Sequence, residues 1–381
     1  MDLISALLQS VISLGAVVLI ALQGFLGSVF TEQTVITILP DRIASSTPPP
    51  SSSQSVFGSS TPRQTTASNP ATTTPVKNTS AAAVKTTPSP PAPTTPAIDP
   101  ETLNTQTRGA LVNILCISKG GAGIHSISGS GVFVDTRGVI LTNAHIGQYF
   151  LLKDYPSANN VDFQVRVGSP AQPRYQATLV YLPPSWISNN SAQIAAEVGK
   201  GTGEDDYAFL LVTGTTGPGT LPSSFPALPM TISEPTAGDG MLLAAYPAGF
   251  LGGIDIEKNL YASSAYAAVT KLYTFAEDLN IDLVSIGGTV VSQGGSSGGA
   301  MVRSSDGKLA GLISNATAAD NTADRDLRAI TLAHINRSLI NHDQGGISTL
   351  LGQDLTKAAA AFSATTGTSE LEVLKNALKT P

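Results

Sequence analysis

The sequence predicts an all-β globular domain over residues 101–347, preceded by a membrane segment and a disordered linker and followed by a short helical tail. Three observations carry that expectation. Short apolar, often β-branched runs recur between Gly, Pro and Asn breaks through the middle of the chain, which is the pattern of a sandwich or barrel. Long amphipathic helical periodicity is absent until near the C-terminus. Cys116 is the only cysteine, so no intramolecular disulfide and no Cys-based zinc site can support the fold, and a hydrophobic core must do so.

The first element is residues 1–31. No charged residue occurs over residues 3–30, and Gln9 and Gln23 are its most polar members. A helix needs about 20 apolar residues to cross a bilayer core. A cleaved signal peptide fits less well: Asp2 stands where a basic n-region belongs, and the run exceeds the usual h-region of about 7–15 residues. We expect an uncleaved transmembrane anchor. Orientation is weakly marked, since Arg42 is the first basic residue.

Residues 32–100 follow, with stretches such as TPPPSSSQS and TTPSPPAPTTP. They bury too little apolar area to offset chain entropy, and their prolines favour extended conformations, so a disordered spacer is expected. Asn78, Asn189, Asn315 and Asn336 each begin a glycosylation triplet, which matters only in a eukaryotic secretory pathway.

Within the β domain the predicted strands are residues 110–117, 131–135, 139–142, 163–167, 176–181, 207–212, 241–245, 265–273, 289–292 and 309–314. Residues 333–351 are an ambiguous late helix. In the tail, residues 348–381, Ser369-Glu370-Leu371-Glu372 resembles a capping box, and Leu371, Leu374 and Leu378 share one helical face. Docking onto the β domain or a partner is expected of it.

Charged residues make up 13% of the chain and the net charge is −6, which gives no electrostatic footprint for nucleic acid. The four histidines show no metal-ligand spacing, and neither a metal nor a cofactor is expected.

The chemistry centres on Gly295-Ser296-Ser297-Gly298-Gly299. A serine nucleophile needs its hydroxyl held clear of the backbone and two N–H groups aimed at one point, and glycine accepts the unusual dihedrals this demands. A flexible Gly/Ser turn would look the same in isolation. Upstream, however, stands His145, just after a predicted strand, and then Asp205-Asp206 at the mouth of an apolar run. Serine as nucleophile, histidine as base and a buried carboxylate as orienting group form a known division of labour. The order His, Asp, Ser excludes the α/β-hydrolase and subtilisin arrangements.

These residues lie in GSGVFVDTRGVILTNAHI (129–146), DYAFLLV (206–212), AAYPAG (244–249), GGSSGGAMV (294–302) and GKLAGLIS (307–314). In these motifs and their order the chain resembles the chymotrypsin-like (trypsin-fold) serine proteases, most closely their HtrA-like bacterial branch, over residues 110–334. The resemblance implies two six-stranded antiparallel β-barrels. It implies Ser297 as nucleophile, His145 as general base and Asp206, rather than Asp205, as orienting acid. The oxyanion hole would come from Gly295, Ser296 and Ser297, with the N–H groups of Gly295 and Ser297 donating. Val291 would mark the base of the primary specificity pocket and Ser314, Asn315 and Ala316 one wall. With no aspartate at 291, a preference for Lys or Arg is not expected, and a small or medium apolar residue before the cut is.

The chain departs from the family in places. Ser296 stands where trypsin-like zymogens carry an aspartate that pairs with a newly cut N-terminus, so that mode of activation should not operate. No PDZ domain fits in the remaining tail, and residues 183–203 look like a surface insertion. The expected function is a membrane-anchored serine endopeptidase with its domain outside the cytoplasm, acting on polypeptide substrates, by analogy in protein quality control. The alternative is a pseudoprotease serving as a binding module, and an esterase would use the same triad. Homo-oligomerisation stays open, since tethering to a membrane raises local concentration.

Overall fold

A computed structural model describes residues 98–195, 202–317, 319 and 321–379, together with the backbone of residues 35–37. The predicted anchor and almost all of the predicted linker lie outside the described residues. Among the described residues no helix is long and apolar enough to cross a membrane.

The domain opens with a helix that the sequence reading did not anticipate, α1 (Pro100–Gly109). Its periodicity is faint because its only large apolar residue is Leu103, which is buried. End effects specify it: Pro100 occupies the first turn, and the Asp99 carboxylate accepts from Thr102 N at 2.9 Å.

Six antiparallel strands then close a barrel: β2 (Leu111–Ser118), β3 (Ile127–Asp135), β4 (Val139–Thr142), β5 (Val161–Val167), β6 (Gln172–Tyr181) and β7 (Ala208–Thr215). Their order around the barrel is β2-β3-β4-β7-β6-β5, and β5 returns to pair with β2. β4 and the first five residues of β7 are buried throughout, which accounts for their unbroken apolar sequence.

The second half differs from the expected closed six-stranded barrel. It is an eight-stranded curled sheet of order β1-β10-β11-β14-β13-β12-β8-β9. Its members are β1 (Val35–Thr37), β8 (Gly240–Ala245), β9 (Ser263–Ala268), β10 (Lys271–Thr274), β11 (Leu283–Gly287), β12 (Ala300–Arg303), β13 (Leu309–Ala316) and β14 (Leu327–Thr331). Among the described strands the pairing of β1 with β10 is the parallel one, and an isolated parallel bridge joins Met230 to Leu309 of β13. The reason it stays open lies at residues 269–270, inside what the sequence suggested was one strand. Val269 bonds back to Gly238 and Asp239, whereas Thr270 N donates to Ser285 O at 2.7 Å. The chain changes partner there, and β9 and β10 become separate strands near opposite ends of the sheet. Residues 289–292, also expected as a strand, instead form tight turns, with Ser292 N donating to Thr289 O and Gln293 N to Val291 O.

Strand alternation buries both faces of this sheet. Met241, Leu243 and Ala245 of β8 join Val284, Met301 and Ile313 in the inner cluster. Leu242 and Ala244 point the other way, into the large core that continues from the first barrel.

The late helix expected over 333–351 is two: α5 (Leu332–Asn341) and α6 (Ile347–Gly352), reading onward from α2 (Ala144–Gly147), α3 (Pro184–Asn190) and α4 (Gly253–Lys258). Two more follow, α7 (Leu355–Ala364) and α8 (Thr366–Lys379). Ser369 is not the cap of α8, which begins three residues earlier, and its hydroxyl donates to Thr366 O. The apolar face of α8 is as expected: Leu374 is fully buried, and Leu371 and Leu378 pack against the core. The tail lies on the first barrel, where Phe362 meets Tyr181 edge-on with ring centroids 6.1 Å apart. Arg137, in the turn after β3, donates to Leu351 O and Gln353 O.

Candidate active site

His145 is carried by α2, which follows β4 after only Asn143. The Asn143 amide donates to Asp206 O at 2.8 Å, tying this turn to the start of β7. Asp206 is buried, and three groups face its carboxylate. His145 N donates to Oδ1 at 2.9 Å, the His145 ring meets Oδ2 through Nδ1 at 2.9 Å, and the Ser314 hydroxyl donates to Oδ2 at 3.1 Å. A proton on Nδ1 satisfies the carboxylate and leaves Nε2 as the accepting nitrogen. Burial disfavours the imidazolium, but the charge of Asp206 and its hydrogen bond outweigh that, so the His145 pKa lies above its ordinary value.

Asp205 turns the other way. Its backbone is left-handed, with φ 57°, and its carboxylate accepts from Ser185 and Ser338 hydroxyls at 2.5 Å each. It lines a cavity of about 480 Å³ with Glu204, Asp282, His334 and Arg337 that includes neither His145 nor Ser297.

The Ser297 loop belongs to the second half and is gripped by the first. Ser130, in β3, is the hub. Its N–H donates to Ser297 O at 2.7 Å, its hydroxyl donates to Gly295 O at 2.8 Å, and that hydroxyl accepts from Tyr246 N at 2.9 Å. Thr142 Oγ1 donates to Ser130 O at 2.8 Å. The approach is so close that a Cβ on Gly298, whose φ is +86°, would lie 1.9 Å from Ser130 O. Gly295 has φ +88°, which brings it against Tyr246 O and Ala248. Of the three residues expected around an oxyanion, Ser296 spends its N–H on Gln293 O at 3.2 Å. The N–H groups of Gly295 and Ser297 have no partner among the described residues. Ser296 is buried, and its hydroxyl has no hydrogen-bond partner among the described residues.

The Ser297 hydroxyl donates to Ser314 O at 2.8 Å, not to His145. Ser314 sits where the β13–β14 register shifts between Ile313 and Asn315. Such a bulge re-aims a side chain, and this one lets a single residue receive Ser297 through its carbonyl and reach Asp206 through its hydroxyl. His145 and Asp206 are thus in direct contact, and Ser297 is joined to Asp206 through Ser314. Asn315 and Ala316 follow along β13, half-buried, while Val291 is fully buried in the inner cluster of the second half. Sequence reasoning assigned no part to Ser130 or Asn143, although both lie in the motif GSGVFVDTRGVILTNAHI. Among the described residues no group of three His, Cys, Asp or Glu side chains could hold a metal ion.

Residues 129–312 match the family model of the trypsin-like peptidase domain. Among solved structures, the chain is similar to the active form of the Rv3671c protease from M. tuberculosis at 18% identity and a TM-score of 0.38, covering 68% of this chain and 93% of that one. It is similar to Deg5 at 17% identity and a TM-score of 0.41, covering 65% of this chain and 95% of that one. No curated protein matches the chain.

Proposed function

We propose, from the premise that residues 129–312 are a trypsin-like domain and the chain a serine-type peptidase, that it is an endopeptidase working through His145, Asp206 and Ser297. The single observation that carries the reading is the His145–Asp206 contact at 2.9 Å beside a serine loop whose Gly295 and Ser297 N–H groups are unspent. Ser297 Oγ attacks the peptide carbonyl carbon as its proton passes to His145 Nε2. The Gly295 and Ser297 N–H groups receive the resulting oxyanion, and Asp206 stabilises the imidazolium. Collapse breaks the C–N bond, and the departing amine takes the proton from His145. Water, deprotonated by His145, then attacks the acyl-enzyme, releasing the carboxylic acid and returning the proton to Ser297.

Reaction requires the Ser297 hydroxyl to leave Ser314 O and turn to His145 Nε2. That resting hydrogen bond is also the observation that favours the alternative, a pseudoprotease. Fluorophosphonate labelling of the full chain separates the two. Labelling that disappears in Ser297→Ala is expected, and an unlabelled wild-type chain would remove the endopeptidase reading in favour of the pseudoprotease.

The charge-free run over residues 3–30 supports an anchor that holds the domain outside the cytoplasm, with residues 32–100 as spacer. Resistance to alkaline extraction, together with cleavage of the domain by protease added to intact cells, is the expected behaviour. Release by alkali would remove the anchor from the proposal. The HtrA-like motifs support polypeptides exposed by misfolding as substrates.

A further inference from the structure

The segment between β8 and β9 presents an unusual combination of rigidity and apolar exposure. Phe250 is 65% exposed, Leu251 39%, Ile254 72% and Tyr261 54%. A mobile loop can carry such residues without consequence, but this segment is fastened at several points. Arg166, wholly buried in β5, donates from Nη1 to Ile256 O at 2.8 Å and from Nη2 to Glu257 O at 2.6 Å, holding the last turn of α4. Farther along, Ala171 N donates to Leu260 O at 2.7 Å and Ala262 N to Ser169 Oγ at 3.1 Å. At its start, Ala248 N donates to Gly294 O at 2.7 Å, and Gly249 packs so tightly on Gly294 that a Cβ would lie 3.0 Å from Gly294 N. The Arg325 guanidinium lies over the Phe250 ring at 5.5 Å and donates to Ser292 O at 2.9 Å. The apolar side chains therefore begin one residue beyond a direct contact with the Ser297 loop.

We infer that this segment is a preformed apolar platform for the substrate polypeptide, with Phe250 and Ile254 selecting a large apolar side chain close to the scissile bond. The inference rests on the endopeptidase reading and names the substrate class for it. Continuity with the nucleophile loop identifies the occupant. The Gly249–Gly294 contact joins this segment to the Ser297 loop, so a polypeptide held at Ser297 has the platform beside it, and an apolar side chain there covers surface that water otherwise wets. Burial against preordered side chains adds affinity without the cost of ordering a loop. Misfolded chains expose such residues, whereas the surfaces of folded proteins display few of them together.

The test uses the full chain in mild detergent and a peptide library varied on both sides of the cut. Each enzyme is scored by the ratio of kcat/KM for large apolar over serine at each position. At one flanking position the wild type should show a clear apolar preference, reduced about tenfold in both Phe250→Ser and Ile254→Ser. Ile254→Ser serves as the second variant because it leaves the Arg325–Phe250 contact in place. A ratio unchanged in both variants overturns the platform. An unchanged ratio with a lowered sedimentation coefficient would overturn it in favour of self-association through this face. Failure of the wild type to label with fluorophosphonate would instead remove the endopeptidase reading beneath it.

Discussion

Asp206 accepts hydrogen bonds from a backbone N–H, from a hydroxyl and from the imidazole, and these fix both its position and the tautomer of His145. Asp206→Asn removes that control by presenting an amide where a charge belongs, so the fall in kcat should be about 10⁴-fold with little change in substrate binding. Pre-steady-state kinetics would measure it, and a loss below tenfold would show that another group orients the ring. Under the proposed mechanism the raised pKa of His145 sets the acid limb of the pH profile. Protonated imidazole cannot accept the Ser297 proton, so activity is absent at low pH and rises as pH passes the folded-state pKa. The midpoint of kcat/KM should therefore lie above the ordinary value of 6.5; a midpoint below it would mean that burial, not Asp206, dominates. For stability the sign is opposite: protonation of His145 favours the folded state at low pH, and that contribution is lost as pH rises through the same pKa. Gly298→Ala forces a Cβ into Ser130 O at a left-handed φ. We expect a loss of about 3 kcal/mol in denaturant unfolding. A loss under 1 kcal/mol would show that the loop can move away.

Among the elements, α4 depends on a buried cation. Arg166 donates to Asn113 Oδ1, Ala171 O, Ile256 O and Glu257 O, so its removal strands several carbonyls. Arg166→Met should cost about 3 kcal/mol or more, and Arg166→Lys should not rescue it because one ammonium cannot serve a fork of acceptors. Full rescue by lysine in chemical denaturation would contradict this. The legibility of elements followed the same physics. β4 has exactly the predicted bounds because all four of its residues are buried and a glycine precedes it. β14 escaped notice because it runs into α5 without a turn residue, Thr331 capping the helix with its own hydroxyl. β11 and β12 were also passed over in the sequence. Thr289-Val290-Val291 has β-branched composition but lies in turns, because hydrogen bonds local to 289–293 outweigh propensity. At the site, motif and order singled out His145, Asp206 and Ser297. Ser130 could not be assigned, since its partners Tyr246 and Gly295 lie 116 and 165 residues away.

Across the whole molecule, the candidate site is a seam. His145, Asp206 and Ser130 come from the first barrel, Ser297 and Ser314 from the second sheet, and hydrogen bonds interlock them. Residues 98–379 should consequently unfold in one calorimetric transition that coincides with loss of labelling at Ser297. Two resolved transitions, with activity lost at the first, would show that the halves melt independently. The tail adds a further tie, since Phe362 is buried against Tyr181 of the first barrel. Phe362→Ala should cost about 3 kcal/mol and lower the same single midpoint.

That tail gives the chain an unusual order of completion. As the polypeptide leaves the ribosome, the strands of the first barrel emerge before the Ser297 loop, and α7, whose Phe362 meets Tyr181, emerges after it. The first barrel therefore gains its Tyr181–Phe362 contact only after the Ser297 loop has been made. A nascent chain carries His145 and Asp206 without Ser297, then all three without the packing that α7 adds to the first barrel.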